Sequence, residues 1–272
     1  MYAYDFEYDG KNLSEFGMIV CEFGGSTGAQ KADKGAQIEF SIASANAGKK
    51  NTMTGSRYED RLSTTFQICK DPEVFDDAHM EITDEEFRAL SRWLNRREFL
   101  WFHSFDWCEP EKERPWFRAS FTLTRVNVGR ATYGVELEMV TDSPFGYGKE
   151  IEETFNFTSG SLTKTLADQS DEIGEIYPDM TITCKAGGKL TLSNAMTGCS
   201  FSVDNCVKGE VITQIGESMI ITTSSTTHKV ASDFNYDWFC IANEYDNREN
   251  AITASLPCSV TLRYRPFIKD TL

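Results

Sequence analysis

Three histidines, His79, His103 and His228, are the side chains best suited to moving a proton or holding a metal. None stands in an H-x-x-x-H or H-E-x-x-H arrangement, which would put two imidazoles on one helix face. Acidic pairs at Asp76-Asp77 and Glu152-Glu153 have no neighbouring base or pocket signal, so they read as solvated or structural groups. The eight cysteines show no C-x-x-C, and Cys199 and Cys206 stand seven apart, unlike a zinc knuckle. Buried thiols acting as small hydrophobes are expected. Gly24-Gly25-Ser26-Thr27-Gly28 lacks the lysine and the strand-to-helix setting of a phosphate loop. The expected lists of catalytic, cofactor-binding and metal residues are therefore empty, and the chain does not read as an enzyme.

Two groups remain as candidates for contact with a partner. Arg88, Arg92 and Arg96 continue an i, i+4 row from Asp84, which is either the solvated back of an amphipathic helix or a subunit contact. Aromatic residues crowd positions 99 to 121, and Trp107 and Trp116 flank the charged loop Cys108-Glu-Pro-Glu-Lys-Glu-Arg-Pro115. These rings belong in a core or a protein interface, with stacking on sugars as the alternative.

The elements that must position these groups are mostly strands. Ile38, Phe40 and Ile42 alternate with polar or small residues, as do Leu62, Thr64, Phe66 and Ile68, which predicts strands with one buried face. Phe117, Ala119, Phe121 and Leu123, then an Asn-Val-Gly-Arg turn, then Tyr133, Val135, Leu137 and Met139, predict an antiparallel hairpin. One helix is expected over about 83–97, with Phe87, Leu90 and Leu94 on one face and a Thr83-x-x-Glu86 capping box. The polar stretches 24–36 and 43–56 predict long loops or arms. Ser143-Pro-Phe-Gly-Tyr-Gly is a break that divides the chain into residues 1–148 and 149–272. Beyond it, short strands at Met180-Ile182-Cys184, Leu190-Leu192, Phe201-Val203, Met219 to Ile221 and Val260-Leu262-Tyr264 predict a sandwich or barrel.

Bulk properties narrow the function. The 272 residues carry a formal charge of -15 shared between both halves, which argues against coating nucleic acid, since that affinity comes from Lys and Arg on phosphates. The opening residues lack a cationic start followed by an apolar stretch, so no secretory signal is expected, nor is membrane insertion. Reduced cysteines in a cytosolically made protein follow from that reading.

Several segments in order resemble the distal tail proteins (Dit) of siphophages. They are Phe6-Glu-Tyr8-Asp-Gly10 with Phe16-Gly17-Met-Ile-Val20, the helix Ile82 to Leu94 leading into Glu98-Phe-Leu100-Trp-Phe102, and Ser143-Pro-Phe-Gly-Tyr147. In the second half come Tyr177-Pro178-Asp-Met-Thr-Ile182, Leu190-Thr-Leu192-Ser-Asn194 and Ser259 to Pro266. Arg248-Glu-Asn250-Ala-Ile252 departs from the family, which commonly has Gly before the Asn. The resemblance implies a mainly β chain with one α-helix. Its N-terminal β-barrel or sandwich would form a ring, usually a hexamer, and its C-terminal galectin-like β-sandwich would project outward. It implies a structural protein made in the host bacterial cytoplasm and placed at the virion tail tip. Its partners would be the tail tube protein, the tape measure protein and hub or receptor-binding proteins. A glycan-binding tail-tip or baseplate module is the alternative.

Overall fold

The computed structural model describes residues 3–24, 35–45, 50–59, 61–105, 114–158 and 162–270. The chain divides into two compact units, one running to Tyr147 and taking in the residues from Lys269 onward, the other Gly148–Ile268. The architecture is mainly β, as expected.

The strands of the first unit are β1 (Asp5–Tyr8), β2 (Lys11–Asn12), β3 (Met18–Cys21), β4 (Ile38–Ala45), β5 (Lys50–Tyr58), β6 (Ser63–Lys70), β7 (Leu100–Phe105), β8 (Phe117–Val128), β9 (Ala131–Thr141) and the short β10 (Gly146–Tyr147). Seven of them form one antiparallel sheet in the order β2-β1-β7-β8-β9-β6-β3. Side-chain alternation decides what faces inward: Phe117, Ala119 and Phe121 of β8 and Val135, Leu137 and Met139 of β9 are buried, as their spacing predicts. Gly129 turns that hairpin with φ +66°, a conformation that favours glycine. The sheet curls until Val20 N, on the last strand, donates to Tyr4 O at 3.0 Å, just ahead of β1.

The predicted helix is α1 (Asp84–Leu94). Its capping box forms, with Glu86 N donating to Thr83 Oγ1 at 3.2 Å and Thr83 N to Glu86 Oε2 at 2.7 Å. It stops short of the predicted 97 because tertiary bonds take over the chain: Asn95 Nδ2 donates to Phe121 O at 2.7 Å, and Ser120 Oγ to Arg96 O at 2.7 Å. Arg96 and Arg97 therefore lie beyond the helix, which shortens the arginine row to Arg88 and Arg92. The buried face is Leu90, Trp93 and Leu94, while Phe87 is half buried beneath the Arg125 guanidinium at 4.1 Å. Trp93 stacks on Phe16 (4.4 Å) and Phe6 (5.7 Å) and donates from Nε1 to Tyr8 O at 2.9 Å.

The expectation of a buried face fails at β4. Ile38, Phe40 and Ile42 do alternate in a strand, yet they are 47%, 54% and 59% exposed. The reason is that, among the described residues, β4 pairs only with β5 in a two-stranded sheet, and of its apolar face only the end at Tyr58 is packed, edge-on to Phe145 at 4.8 Å. Alternation reports that one face is apolar; it does not report what covers it. Nor is 43–56 simply loop, because 43–45 and 50–56 belong to the paired strands.

The second unit contains β11 (Ile151–Phe157), β12 (Thr163–Ala167), β13 (Gly174–Ile176), β14 (Asp179–Cys184), β15 (Gly188–Asn194), β16 (Ser200–Cys206), β17 (Val211–Ile215), β18 (Ile220–Thr223), the short helix α2 (Val230–Asp233), β19 (Ile241–Asn243), β20 (Glu249–Ala254), β21 (Cys258–Tyr264) and β22 (Phe267–Ile268). A five-stranded sheet, β11-β21-β14-β17-β18, and a four-stranded one, β12-β20-β15-β16, bury their inner faces in one core. Met180, Ile182, Val260 and Leu262 come from the first, and Leu190, Leu192, Phe201 and Ile252 from the second. This is a β-sandwich. The predicted strand at Met219 to Ile221 is an edge, with Met219 39% and Ile220 46% exposed.

Candidate functional site

The residues singled out in the sequence do not form one site. Arg88 and Arg92 are exposed on α1. Asp84 pairs instead with Arg125, across to β8 at 2.8 Å. Arg96, also exposed, lies 3.7 Å from Asp9 and donates to Arg92 O at 3.4 Å. Trp116 is half buried, stacked on His103 at 4.5 Å and edge-on to Trp101 at 6.4 Å, and its backbone bonds Tyr147 in both directions. Trp107 lies outside the described residues, as does Cys108.

The surface that stands out is the β4–β5 hairpin. Its cross-strand pairs Ile38–Tyr58, Phe40–Ser56 and Ile42–Met53 share one face, and Met53 is 62% exposed. The opposite face is polar, with Glu39 and Arg57 paired at 2.7 Å. A lone two-stranded hairpin is marginal in water, and one that turns a row of large apolar side chains to solvent has the composition of an interface core.

Two polar centres inside the second unit were not legible from motifs. The His228 side chain is 3% exposed, with Nδ1 2.6 Å from Glu210 Oε1 and Nε2 2.9 Å from Asp233 Oδ2. Glu210 also accepts from Thr223 Oγ1 and from Val207 N at 2.9 Å. Burial pushes the His228 pKa down, but the hydrogen bond to Glu210 and the two carboxylates outweigh it and hold the value above that of an ordinary histidine. Burial pushes Glu210 up, and its bonds from Thr223, Val207 and His228 prevail and hold it low. The group ties β17, β18 and α2 together and braces that edge of the sandwich. The second centre is Asn250, fully buried, which accepts from Ala242 N (2.8 Å) and Asn194 Nδ2 (2.7 Å) and donates to Ala242 O (2.8 Å). Its neighbour Asn243 donates to Asp168 Oδ2 at 2.6 Å.

A cavity of about 360 Å³ lies in the same unit, lined in part by Glu175, Tyr177, Tyr236, Asp237 and Trp238. Tyr177 donates to Glu175 Oε2 at 2.9 Å, and that bond, with burial, pushes its phenol up to about 12. Tyr236, 66% exposed, holds φ +61°, an unusual conformation for an aromatic residue. Among the described residues no group of three or more His, Cys, Asp and Glu is placed to hold a metal.

Comparison with known proteins gives a family. Residues 1–143 match the model described as phage tail protein N-terminal domain, and residues 145–264 the one described as phage tail C-terminal domain. Among solved structures the fold matches SPP1 Dit (gp 19.1), described as a paradigm of the hub adsorption apparatus in phages infecting Gram-positive bacteria. The TM-score is 0.65 at 12% identity, over 96% of this chain and 98% of that one. No curated protein matches. The chain belongs to a family of phage tail proteins and has a Dit-like fold.

Proposed function

We propose that this chain is a distal tail protein whose copies assemble into a ring, a hexamer by the family's precedent, joining the tail tube to the tail-tip or baseplate adsorption apparatus. The observation that carries the reading is the β4–β5 hairpin, on whose apolar face Phe40, Ile42 and Met53 stand more than half exposed among the described residues. Burying one such side chain contributes roughly 1.5–3 kcal/mol, so Phe40, Ile42 and Met53 together can hold a subunit contact. In this reading residues 1–148 form the ring, and residues 149–272 form an outward galectin-like sandwich. Arg88 and Arg92, exposed on α1, supply a charged contact to a neighbour. Partners are further copies, the tail tube and tape measure proteins, and hub or receptor-binding proteins. An acidic chain suits a ring through which DNA passes without sticking. Synthesis is in the bacterial cytoplasm and residence at the virion tail tip.

Light scattering and negative-stain microscopy of the full chain test this. Rings are expected, and the F40E/I42E double variant should give a folded monomer. A wild-type chain that stays monomeric at high concentration and shows no rings sinks the proposal. A second reading, a glycan-contacting module, draws on the cavity, where Tyr177, Tyr236 and Trp238 offer rings and Glu175 and Asp237 offer acceptors. A glycan array separates it from the first.

A further inference from the structure

Two cysteines stand in the wall of the cavity just described: Cys199, immediately before β16, and Cys240, immediately before β19. Nothing in their spacing joins them, yet the fold sets them side by side, with the Cys199 thiol donating to the backbone carbonyl of Cys240 at 3.6 Å and the two side chains in contact. They are 8% and 3% exposed and reach solvent through a cavity whose rim includes the exposed Glu175, Gly198 and Tyr236.

Two other thiol pairs make the comparison sharp. Cys21 and Cys69 touch diagonally between β3 and β6, and Cys184 touches Cys206. The second of these is buried in the sandwich core and does not line this cavity. Contact between thiols is therefore common in this chain: Cys21 and Cys69 meet half buried on the first unit's sheet, whereas Cys199 and Cys240 meet in the wall of a cavity, where a small molecule can be held against them.

We propose that Cys199 and Cys240 are a redox-convertible pair, oxidised by low-molecular-weight disulfides that enter through this cavity. Cys199 attacks one sulfur of the incoming disulfide and expels the other as a thiolate. Cys240 passes its proton to that thiolate and attacks Cys199 Sγ, expelling the second thiolate. Two protein thiols are oxidised to one disulfide, and one external disulfide is reduced to two thiols. The roles follow first from access, since Cys199 is the more exposed of the two, 8% against 3%, and meets the disulfide first. Cys199 is held below the ordinary thiol value by the hydrogen bond from Cys240, against the effect of burial, with further bonds from Cys240 and Thr197. Cys240 is pushed up by the same contact and by burial, so it keeps the proton until the second step. The product bridge fastens the segment carrying Tyr236 and Trp238 to the start of β16, which suits a chain moving from reducing to oxidising surroundings.

The test uses the full chain, reduced, desalted without oxygen and mixed with glutathione disulfide, then quenched with iodoacetamide over time and mapped by mass spectrometry. The Cys199–Cys240 bridge should appear first, ahead of any bridge between Cys184 and Cys206. Without oxidant, Cys199 should alkylate at least about tenfold faster than Cys258, which burial pushes up to about 11. Cys240→Ser should trap glutathione on Cys199, and Cys199→Ser should leave Cys240 unmodified over the same interval. Earlier bridging of Cys184 to Cys206, or no adduct on Cys199 in Cys240→Ser, overturns the proposal. If a serine variant fails to fold, the order of bridging in the unmutated chain decides the matter.

Discussion

Replacing Lys70 by methionine removes an ammonium while keeping the stem that fills its site. Lys70, at the end of β6, is 4% exposed; Nζ donates to His79 O at 3.0 Å and Glu81 O at 2.9 Å, and lies 2.7 Å from Glu86 Oε1. It also stands 4.7 Å over the Phe75 ring. The Glu86 side chain is 36% exposed and keeps its bonds from Thr83, so losing the ion pair costs only about 1 kcal/mol. The two carbonyls are partly buried, and leaving them without a donor costs about 1 kcal/mol each, the low end of the usual range. The sum is about 3 kcal/mol, the methionine sulfur keeping a comparable contact with the Phe75 ring. At roughly 2–4 °C per kcal/mol for a unit of this size, Lys70→Met should lower Tm by about 6–12 °C. Calorimetry with near-ultraviolet dichroism, which follows the Trp93 cluster, measures it. Glu86 supplies an internal check: burial raises its pKa, but the bonds from Lys70 and Thr83 outweigh burial and depress it. A depressed carboxylate contributes stability above its unfolded pKa and loses it as pH falls through the folded value, so the gap between variant and wild type should narrow below about pH 4. A Tm change under about 2 °C near neutrality would mean that the three acceptors are satisfied by water, and the reasoning would fall.

Leu90→Ala and Leu94→Ala should each cost about 2–5 kcal/mol, and the exposed Arg92→Ala no more than about 0.5 kcal/mol, by urea titration; equal effects would show that α1 is not held by its apolar face. For the His228 brace, the histidine, raised by its carboxylates, contributes stability below its unfolded pKa and loses it as pH rises through the folded value. Glu210, depressed, contributes above its unfolded pKa and loses it as pH falls. Their joint contribution should therefore peak between about pH 4.3 and 6.5, and a Glu210→Gln profile as curved as wild type over that window would contradict the pairing. Gly216→Ala should be poorly soluble, because a Cβ there would sit 1.8 Å from Tyr177 O, whereas Gly129→Ala, with open space but φ +66°, should cost about 1 kcal/mol; similar melting curves would refute the clash.

What the sequence showed plainly was local. The Thr83–Glu86 box and the Leu90, Leu94 spacing are written within one helix, and the β8–β9 alternation within one hairpin, so both survive without tertiary knowledge. Trp93 carried a signal, three residues after Leu90 and beside Leu94, that the helical face could have included. The exposure of Phe40 and Ile42 was out of reach, because cover is a property of what lies opposite. The centres around His228 and Asn250 were also hidden: Glu210 and His228 meet only because β17, β18 and α2 converge, and no spacing rule encodes that meeting. The departure from the family lies at Glu249, and the Asn250 that follows it is one of the buried, multiply bonded amides of the sandwich.

The pairing of β11 with β21 sets Ile151 opposite Tyr264, and Gly148 bonds both ways with the segment that follows, donating to Pro266 O at 2.8 Å and accepting from Arg265 Nη1 at 3.0 Å. The sandwich thus begins and ends at one spot. A module whose entry and exit are neighbours can be lifted out, replaced or lodged in another chain without stretching its host, because the gap left behind is short enough to close directly. Recombination between tail genes at these two points would exchange the whole sandwich as a cassette while leaving the other sheet's strand order intact.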